Sequence, residues 1–352
     1  MHQRLKRHKC KFSKIFLTEY RTKACIIDYN CAGFFNDRYW VFGTGYWVQH
    51  HPIPSTKYQI PNTNTMKNYL SLIKFSHTIF ALPFALLGFF LATQKMGTGI
   101  SWRIFALVLL CMVFARSAAM AFNRYLDRDI DEKNPRTVVR EIPAGVISPK
   151  AALFFVILNG VFFIATTWFI NPLCFYLSPV ALLVILGYSY TKRFTFLCHF
   201  VLGLGLALAP IGAYLAVGGG FDLIPILFSV AVLLWVSGFD IIYALQDIDF
   251  DKSLNLNSVP VTLGRVGALR LSMVLHVICA AVMVFASYQV SLLYPSASWL
   301  SWVATAVFVG LLFYQHTLVK PNDLSRVNLA FFTTNGVASV IFGGVMILDL
   351  LM

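Results

Sequence analysis

Charge is what this chain has least of. Only 12% of its 352 residues are Asp, Glu, Lys or Arg, about half the quarter that soluble domains carry. Acids are the scarcer sign, 15 against 28 Lys and Arg. With 58% hydrophobic residues, that shortage excludes an ordinary soluble domain. Cysteines at metal-ligating or redox spacing are missing too. The seven cysteines form no CxxC and no Cys/His cluster, and Cys111, Cys174, Cys198 and Cys279 lie in apolar runs. A disulfide framework or zinc site is therefore not expected, and these cysteines read as small apolar residues. In a chain this apolar, the net charge of +13 reports membrane topology and anionic lipid, not nucleic acid.

Long apolar runs are abundant. A membrane span needs ~20 predominantly apolar residues, and nine such runs occur near 75–93, 104–122, 151–170, 172–190, 197–217, 223–245, 268–286, 297–315 and 329–348. In lipid every backbone polar group must be satisfied within its element, so runs of this length read as helices and not as the alternating strands of a barrel. Residues 1–65 differ: they hold ten Lys/Arg against three acids, contain no run of spanning length, and end in the turn-rich "HPIPSTKYQIPNTNT". Their basic start is followed by no apolar segment of secretory type. Met66 then opens "KNYLSLIKFSHTIFALPFALLGFF", a natural start for a polytopic protein. The expectation is a membrane domain over 66–352, with 1–65 a disordered extension or a stretch upstream of the true start. If the chain enters the first span from the cytoplasm, 15 of the 18 Lys/Arg after residue 66 fall on the cytoplasmic side. Only Lys95 and Arg103 fall outside, and Arg116 lies within a span. The positive-inside rule then puts the N-terminus inside and the C-terminus outside.

The few acids are concentrated. Of twelve after residue 66, nine lie in 127–141 and 240–251, at the cytoplasmic ends of the second and sixth spans. In "NRYLDRDIDEKNPRT" the residues Asn123, Asp127 and Asp131 recur every four positions, which keeps them on one helix face. In "DIIYALQDIDFD" the set Asp240, Tyr243, Asp247 and Asp251 shares a face in the same way, whereas Asp129 and Asp249 point elsewhere. Asp127, Asp131, Asp247 and Asp251 would repel one another without a cation between them, and hard oxygen ligands on facing helices suit Mg²⁺ with substrate phosphates completing its shell. Arg128, Arg136, Arg140, Lys192 and Arg193 share this layer. Mg²⁺ with such cations is what binding and cleaving a diphosphate requires; setting topology alone is the plainer role, preferred for Lys133 and Lys150. Arg116 stands inside the second span, where an arginine costs about 2.5–3.5 kcal/mol on an insertion scale. Either a salt bridge, with Asp240 as a candidate partner, or a substrate carboxylate answers that cost. "LGYSYTKRFT" puts Tyr188 and Lys192 four apart beside Arg193. His77 is a further pocket candidate, although a lone histidine there is more often structural.

Taken in order, "NRYLDRDID", "NPRTVVREIPAGVIS", "YSYTK" and "DIIYALQDIDFD" resemble the motifs of the UbiA superfamily of intramembrane prenyltransferases, in particular its 4-hydroxybenzoate polyprenyltransferase-like members. The resemblance covers 66–352 and implies an all-α fold, nine transmembrane helices around a central cavity open to lipid. It implies Mg²⁺ at Asn123, Asp127 and Asp131, and again at Asp247 and Asp251. It assigns the diphosphate to Arg140, Tyr188 and Lys192, an acceptor carboxylate to Arg116, and aromatic acceptor or diphosphate binding to Arg128 and Arg193, with Asp240 and Tyr243 behind them. The implied reaction moves a polyprenyl chain from its diphosphate to the ring of 4-hydroxybenzoate or a related naphthoate, in ubiquinone or menaquinone synthesis. Arg124 departs from the family pattern, which has Asp there; it lies off the metal-binding face and is set aside. A haem O synthase-like enzyme is one alternative. A membrane transporter is another, but it would carry its acids near the bilayer midplane.

Overall fold

The computed structural model describes residues 25–26, 39–43, 46–50, 65–72 and 80–352. They fall in two units, Met1–Pro61 and Asn62–Met352. The first carries a small antiparallel sheet, β1 (Cys25–Ile26), β2 (Tyr39–Gly43) and β3 (Tyr46–His50), in that order. Its register pairs Cys25 with Phe42 and Tyr39 with His50.

The second unit is helical: α1 (Thr65–Leu72), α2 (Leu82–Met96), α3 (Trp102–Leu126), α4 (Arg128–Asp131), α5 (Pro149–Trp168) and α6 (Pro172–Thr191) come first. They are followed by α7 (Cys198–Gly218), α8 (Leu223–Ala244), α9 (Ile248–Ser253), α10 (Val259–Leu293), α11 (Trp299–Leu318) and α12 (Asn335–Leu351). Among the described residues eight helices are long and apolar enough to cross a membrane, counting α8 with α9 and α12 with its preceding turn, and α2 is a shorter apolar helix of 15 residues. Together they account for the nine expected spans. The start of the first expected span, with Lys74 and His77, lies outside the described residues. At ~1.5 Å per residue the 35 residues of α10 would overrun a bilayer core. Gly264, with φ 69° and ψ 176°, breaks its first turn off from the span, and glycine alone takes that conformation readily.

The helix starts are written in the sequence. Ser148, Asn171 and Ser258 accept hydrogen bonds from Ala151 N–H (3.2 Å), Cys174 N–H (2.8 Å) and Val261 N–H (3.3 Å). A proline follows each cap within two residues, where its missing N–H is not needed. The core is an aromatic cluster in which Phe84, Phe228, Trp235, Phe308 and Phe342 are fully buried. Trp235 Nε1 donates to Asn335 Oδ1 at 2.8 Å, tying α8 to α12. Small residues let backbones close up: a Cβ on Gly88 of α2 would stand 2.1 Å from the Pro210 carbonyl oxygen of α7. Outward faces are apolar, with Phe154, Ile157 and Leu183 exposed, as helices set in lipid require. Helix α7 packs against α8, α8 against α10, and α3 against α5. This arrangement gathers the ends of α3, α6 and α8 around one cavity.

Candidate functional site

Both acidic stretches sit where a helix breaks. Helix α3 ends at Asp127 (φ −87°, ψ 8°), and the turn after α8 ends at Asp247 (φ −104°, ψ 6°), each followed by a short helix. This is the sparsely populated bridge region where many active-site residues lie. The straight helix face expected from the four-residue spacing is therefore interrupted at the first aspartate of each motif. Between α4 and α5 the chain makes a series of turns. Asn134 Oδ1 accepts from Arg136 N–H at 2.9 Å and Thr137 Oγ1 donates to the Asp131 carbonyl at 3.1 Å, which aims Arg136 and Arg140 back over the acids.

These elements enclose a polar cavity of about 580 Å³ lined by Asn123, Asp127, Asp131, Arg136, Arg140, Tyr188, Lys192, Asp240, Tyr243, Asp247 and Asp251, among others. Asp127 and Asp131 are 2% and 3% exposed. Asn123 Nδ2 donates to Asp127 at 3.1 Å, and Lys192 Nζ stands 3.1 Å from the same carboxylate. One nitrogen of Arg140 reaches both oxygens of Asp131, at 2.7 and 2.8 Å. Across the cavity Arg136 forks onto Asp247, with Nη2 at 2.5 Å and Nε at 3.2 Å, and Nη1 donates to the Tyr243 hydroxyl at 3.1 Å. Asp251 has no ion pair among the described residues. Burial pushes the Asp127 carboxyl up, and Lys192 and Arg193 pull only partly against it.

A second, apolar cavity of about 370 Å³ lies between α3, α5, α6 and α7 and runs to Cys174 and Phe221 at their far ends. Arg116, Met120, Tyr188, Leu202 and Leu206 line both cavities. Arg116 and Tyr188 thus stand at the junction of a charged chamber and an apolar one.

Several expectations change. Arg128 is exposed and lines neither cavity; its guanidinium lies 4.6 Å from the Tyr125 ring centre and donates to the Tyr125 carbonyl at 2.6 Å. Arg193 also stays out of the cavity lining. It clamps the end of α3 from outside, donating to the Leu126 carbonyl at 2.8 Å and reaching Asp127 and Asp129 at 3.4 and 3.3 Å. Asp240 does not pair with Arg116. Its partner is His199, whose Nδ1 is 2.7 Å away, while His199 Nε2 receives Val259 N–H at 3.4 Å. Arg124, set aside from the sequence, is 4% exposed and lines the polar cavity. His199 and the Asp247 contact of Arg136 were missed, because the partners lie 41 and 111 residues away in sequence.

Among the described residues no three His, Cys, Asp or Glu side chains converge into a ready-made metal cage. The donor set is two pairs of carboxylates plus an amide. That suits Mg²⁺, which is commonly held by one or two carboxylates with substrate phosphates and water completing its shell. Asn123, Asp127 and Asp131 could hold one ion, and Asp247 and Asp251 another.

The model of the UbiA prenyltransferase family matches residues 81–337. The 4-hydroxybenzoate octaprenyltransferase of Aliivibrio salmonicida (strain LFI1238) is 31% identical over 244 residues, which is 68% of this chain and 82% of the relative. The apo structure of a UbiA homolog from Aeropyrum pernix K1 is 32% identical with a TM-score of 0.68, covering 78% of this chain and 98% of that one. A UbiA homolog from Archaeoglobus fulgidus bound to GPP and Mg²⁺ shares the fold, with a TM-score of 0.62 at 22% identity over 81% of this chain and all of that one. With a family match over most of its length and two acidic motifs meeting in one cavity, this chain is an integral membrane protein belonging to the UbiA prenyltransferase family.

Proposed function

We propose that this chain transfers a polyprenyl group from polyprenyl diphosphate to the ring of a hydroxyaryl carboxylic acid, with Mg²⁺ as cofactor, in the synthesis of a quinone. The observation that carries this reading is the junction of the two cavities at Arg116 and Tyr188. A charged chamber continuous with an apolar one fits a substrate with a charged head and a long apolar tail. The relatives named 4-hydroxybenzoate octaprenyltransferase support 4-hydroxybenzoate as acceptor, and the homolog bound to GPP and Mg²⁺ supports the metal.

When bound, Mg²⁺ would neutralise charge on the diphosphate as the allylic C–O bond breaks. Asn123, Asp127, Asp131, Asp247 and Asp251 would hold it through their oxygens. Arg136, Arg140 and Lys192 now rest on carboxylates. For diphosphate binding these cations exchange a carboxylate for phosphate oxygens, with Tyr188 beside them. The apolar chamber keeps water from the allylic cation, and Arg116 orients the acceptor through its carboxylate. The ring carbon forms the new C–C bond, diphosphate leaves with the C–O electron pair, and loss of the ring proton restores aromaticity. Arg128 and Arg193 take no part in acceptor binding here. A transporter would carry its acids near the midplane, whereas both motifs lie at helix ends.

The test uses membranes containing the protein, a radiolabelled polyprenyl diphosphate, Mg²⁺, and 4-hydroxybenzoate or a dihydroxynaphthoate in parallel. EDTA-sensitive labelling of one acid supports the reading and names the acceptor; labelling of neither acid refutes it. The distribution of Lys and Arg supports a cytoplasmic acidic layer and an outside C-terminus in a bacterial inner membrane, which a C-terminal topology reporter would contradict by reading inside. We place the catalytic unit in 66–352, so a chain started at Met66 should retain turnover; its loss would refute that boundary.

A further inference from the structure

Arg124 brings into the polar cavity a buried guanidinium with two nitrogens unbonded among the described residues. Arg124 lies near the end of α3 and is 4% exposed. Its Nε and Nη1 are buried and make no hydrogen bond among the described residues. The charges around it are Arg140, Glu141 and Asp131, with the Tyr188 phenol close by. Neither acid compensates it directly. Arg140 already occupies both oxygens of Asp131. Glu141 accepts Ser71 Oγ at 2.5 Å on one oxygen, and its other oxygen is buried and unbonded.

Burying an ion without a partner costs several kcal/mol, and arginine cannot relieve that cost by losing its proton. Its neighbours on the cavity wall are differently placed: Arg136, Arg140 and Lys192 each hold a carboxylate. A charge kept buried beside Arg140, with free donors, is arranged for an anion that enters the cavity. A planar guanidinium with several N–H donors matches phosphate oxygens well.

We propose that Arg124 binds the terminal phosphate of a diphosphate in the polar cavity, with the Glu141 carboxylate, which makes no bond to it, opposing the incoming anion by its nearby negative charge. Identifying the diphosphate as the head of the prenyl donor rests on the function proposed above.

Two readouts on the full chain in detergent test this. The first is binding of inorganic pyrophosphate with Mg²⁺, followed by thermal shift; the second is KM for each substrate. Hydrogen bonds to charged groups contribute enough that Arg124→Gln should weaken pyrophosphate binding by about 10- to 100-fold. KM for polyprenyl diphosphate should rise by the same factor, KM for the aromatic acid should stay unchanged, and Arg124→Lys should recover part of the loss. Unchanged pyrophosphate affinity in a cooperatively melting Arg124→Gln protein would overturn the proposal. So would a shift confined to the aromatic acid. If Arg124→Gln does not fold, Glu141→Gln carries the test, because removing a nearby negative charge should tighten pyrophosphate binding, and equal or weaker binding overturns it. A wild-type chain that binds pyrophosphate through Arg124 but transfers no prenyl group would refute the enzyme reading and leave this site standing.

Discussion

Replacing Arg136 with Gln tests how the two motifs are joined. In the structure Arg136 ties the turn after α4 to the end of α8 by two bonds to Asp247 and one to Tyr243, with its guanidinium 5.6 Å from the Tyr243 ring centre. The Arg136 side chain is 38% exposed and the Asp247 side chain 20%. Breaking a buried pair costs about 3–5 kcal/mol, and exposed pairs contribute about 0.2–1 kcal/mol; this half-buried fork falls between, at about 1–2 kcal/mol of stability. During turnover the guanidinium is proposed to move to phosphate, where losing bonds to a charged group costs about 1.5–3 kcal/mol. The expected result is a drop in kcat/KM for polyprenyl diphosphate of about 10- to 100-fold, with KM for the aromatic acid unchanged. Asp247→Asn and the double variant complete the comparison. If Arg136 only held Asp247 in place, the double variant would be no worse than Asp247→Asn. A further loss in the double variant shows that Arg136 also acts on the substrate. A folded Arg136→Gln protein with wild-type kcat/KM would refute the reasoning.

Other perturbations follow from the same geometry. Arg116→Ala should raise KM for the aromatic acid and leave KM for the prenyl donor near wild type; the reverse pattern in steady-state kinetics would place Arg116 on the diphosphate instead. Gly88→Ala puts a Cβ 2.1 Å from the Pro210 carbonyl oxygen, and overpacking costs about 1–3 kcal/mol, so melting in detergent should fall; an unchanged melt would mean that α2 and α7 are not in close contact. Burial raises the Asp127 carboxyl pKa above its unfolded value, so without metal its stability contribution is present at low pH and is lost as pH rises through the raised pKa. Metal binding has the opposite sign, because it needs the carboxylate: Mg²⁺ affinity by titration should strengthen as pH rises through that pKa, and Asp127→Asn should flatten the dependence. Affinity that weakens with rising pH would contradict the assignment.

The residues whose cost in lipid is greatest were the easiest to find from sequence. Asp127, Asp131, Asp247 and Asp251 are conspicuous because nine of twelve acids crowd into two short stretches of an apolar chain, and the structure brings all four to one cavity. The spans were legible for the same reason: a long run without charge has few alternatives to a helix in lipid. What failed were inferences needing a partner or a backbone angle. Helix-face arithmetic assumes a straight helix, and the bridge-region backbone at Asp127 and Asp247 is invisible to it. That arithmetic set Arg124 aside, yet the residue is buried against the cavity. Arg128 looked equivalent to Arg136 as a cation near an acid, but a ring one turn earlier holds it outside, while an Asn134 turn carries Arg136 inward. His199 gave no signal, because a lone histidine opening an apolar helix acquires meaning only from Asp240 on a neighbouring helix.

The most direct measurement of the central claim is coupled product formation by purified chain with Mg²⁺, polyprenyl diphosphate and the aromatic acid, for wild type, Asp127→Ala and Asp247→Ala. If the two motifs form one diphosphate site, wild type releases one pyrophosphate for each prenylated acid, and either substitution abolishes both products in protein that still melts cooperatively. Wild-type turnover in either variant would contradict the account.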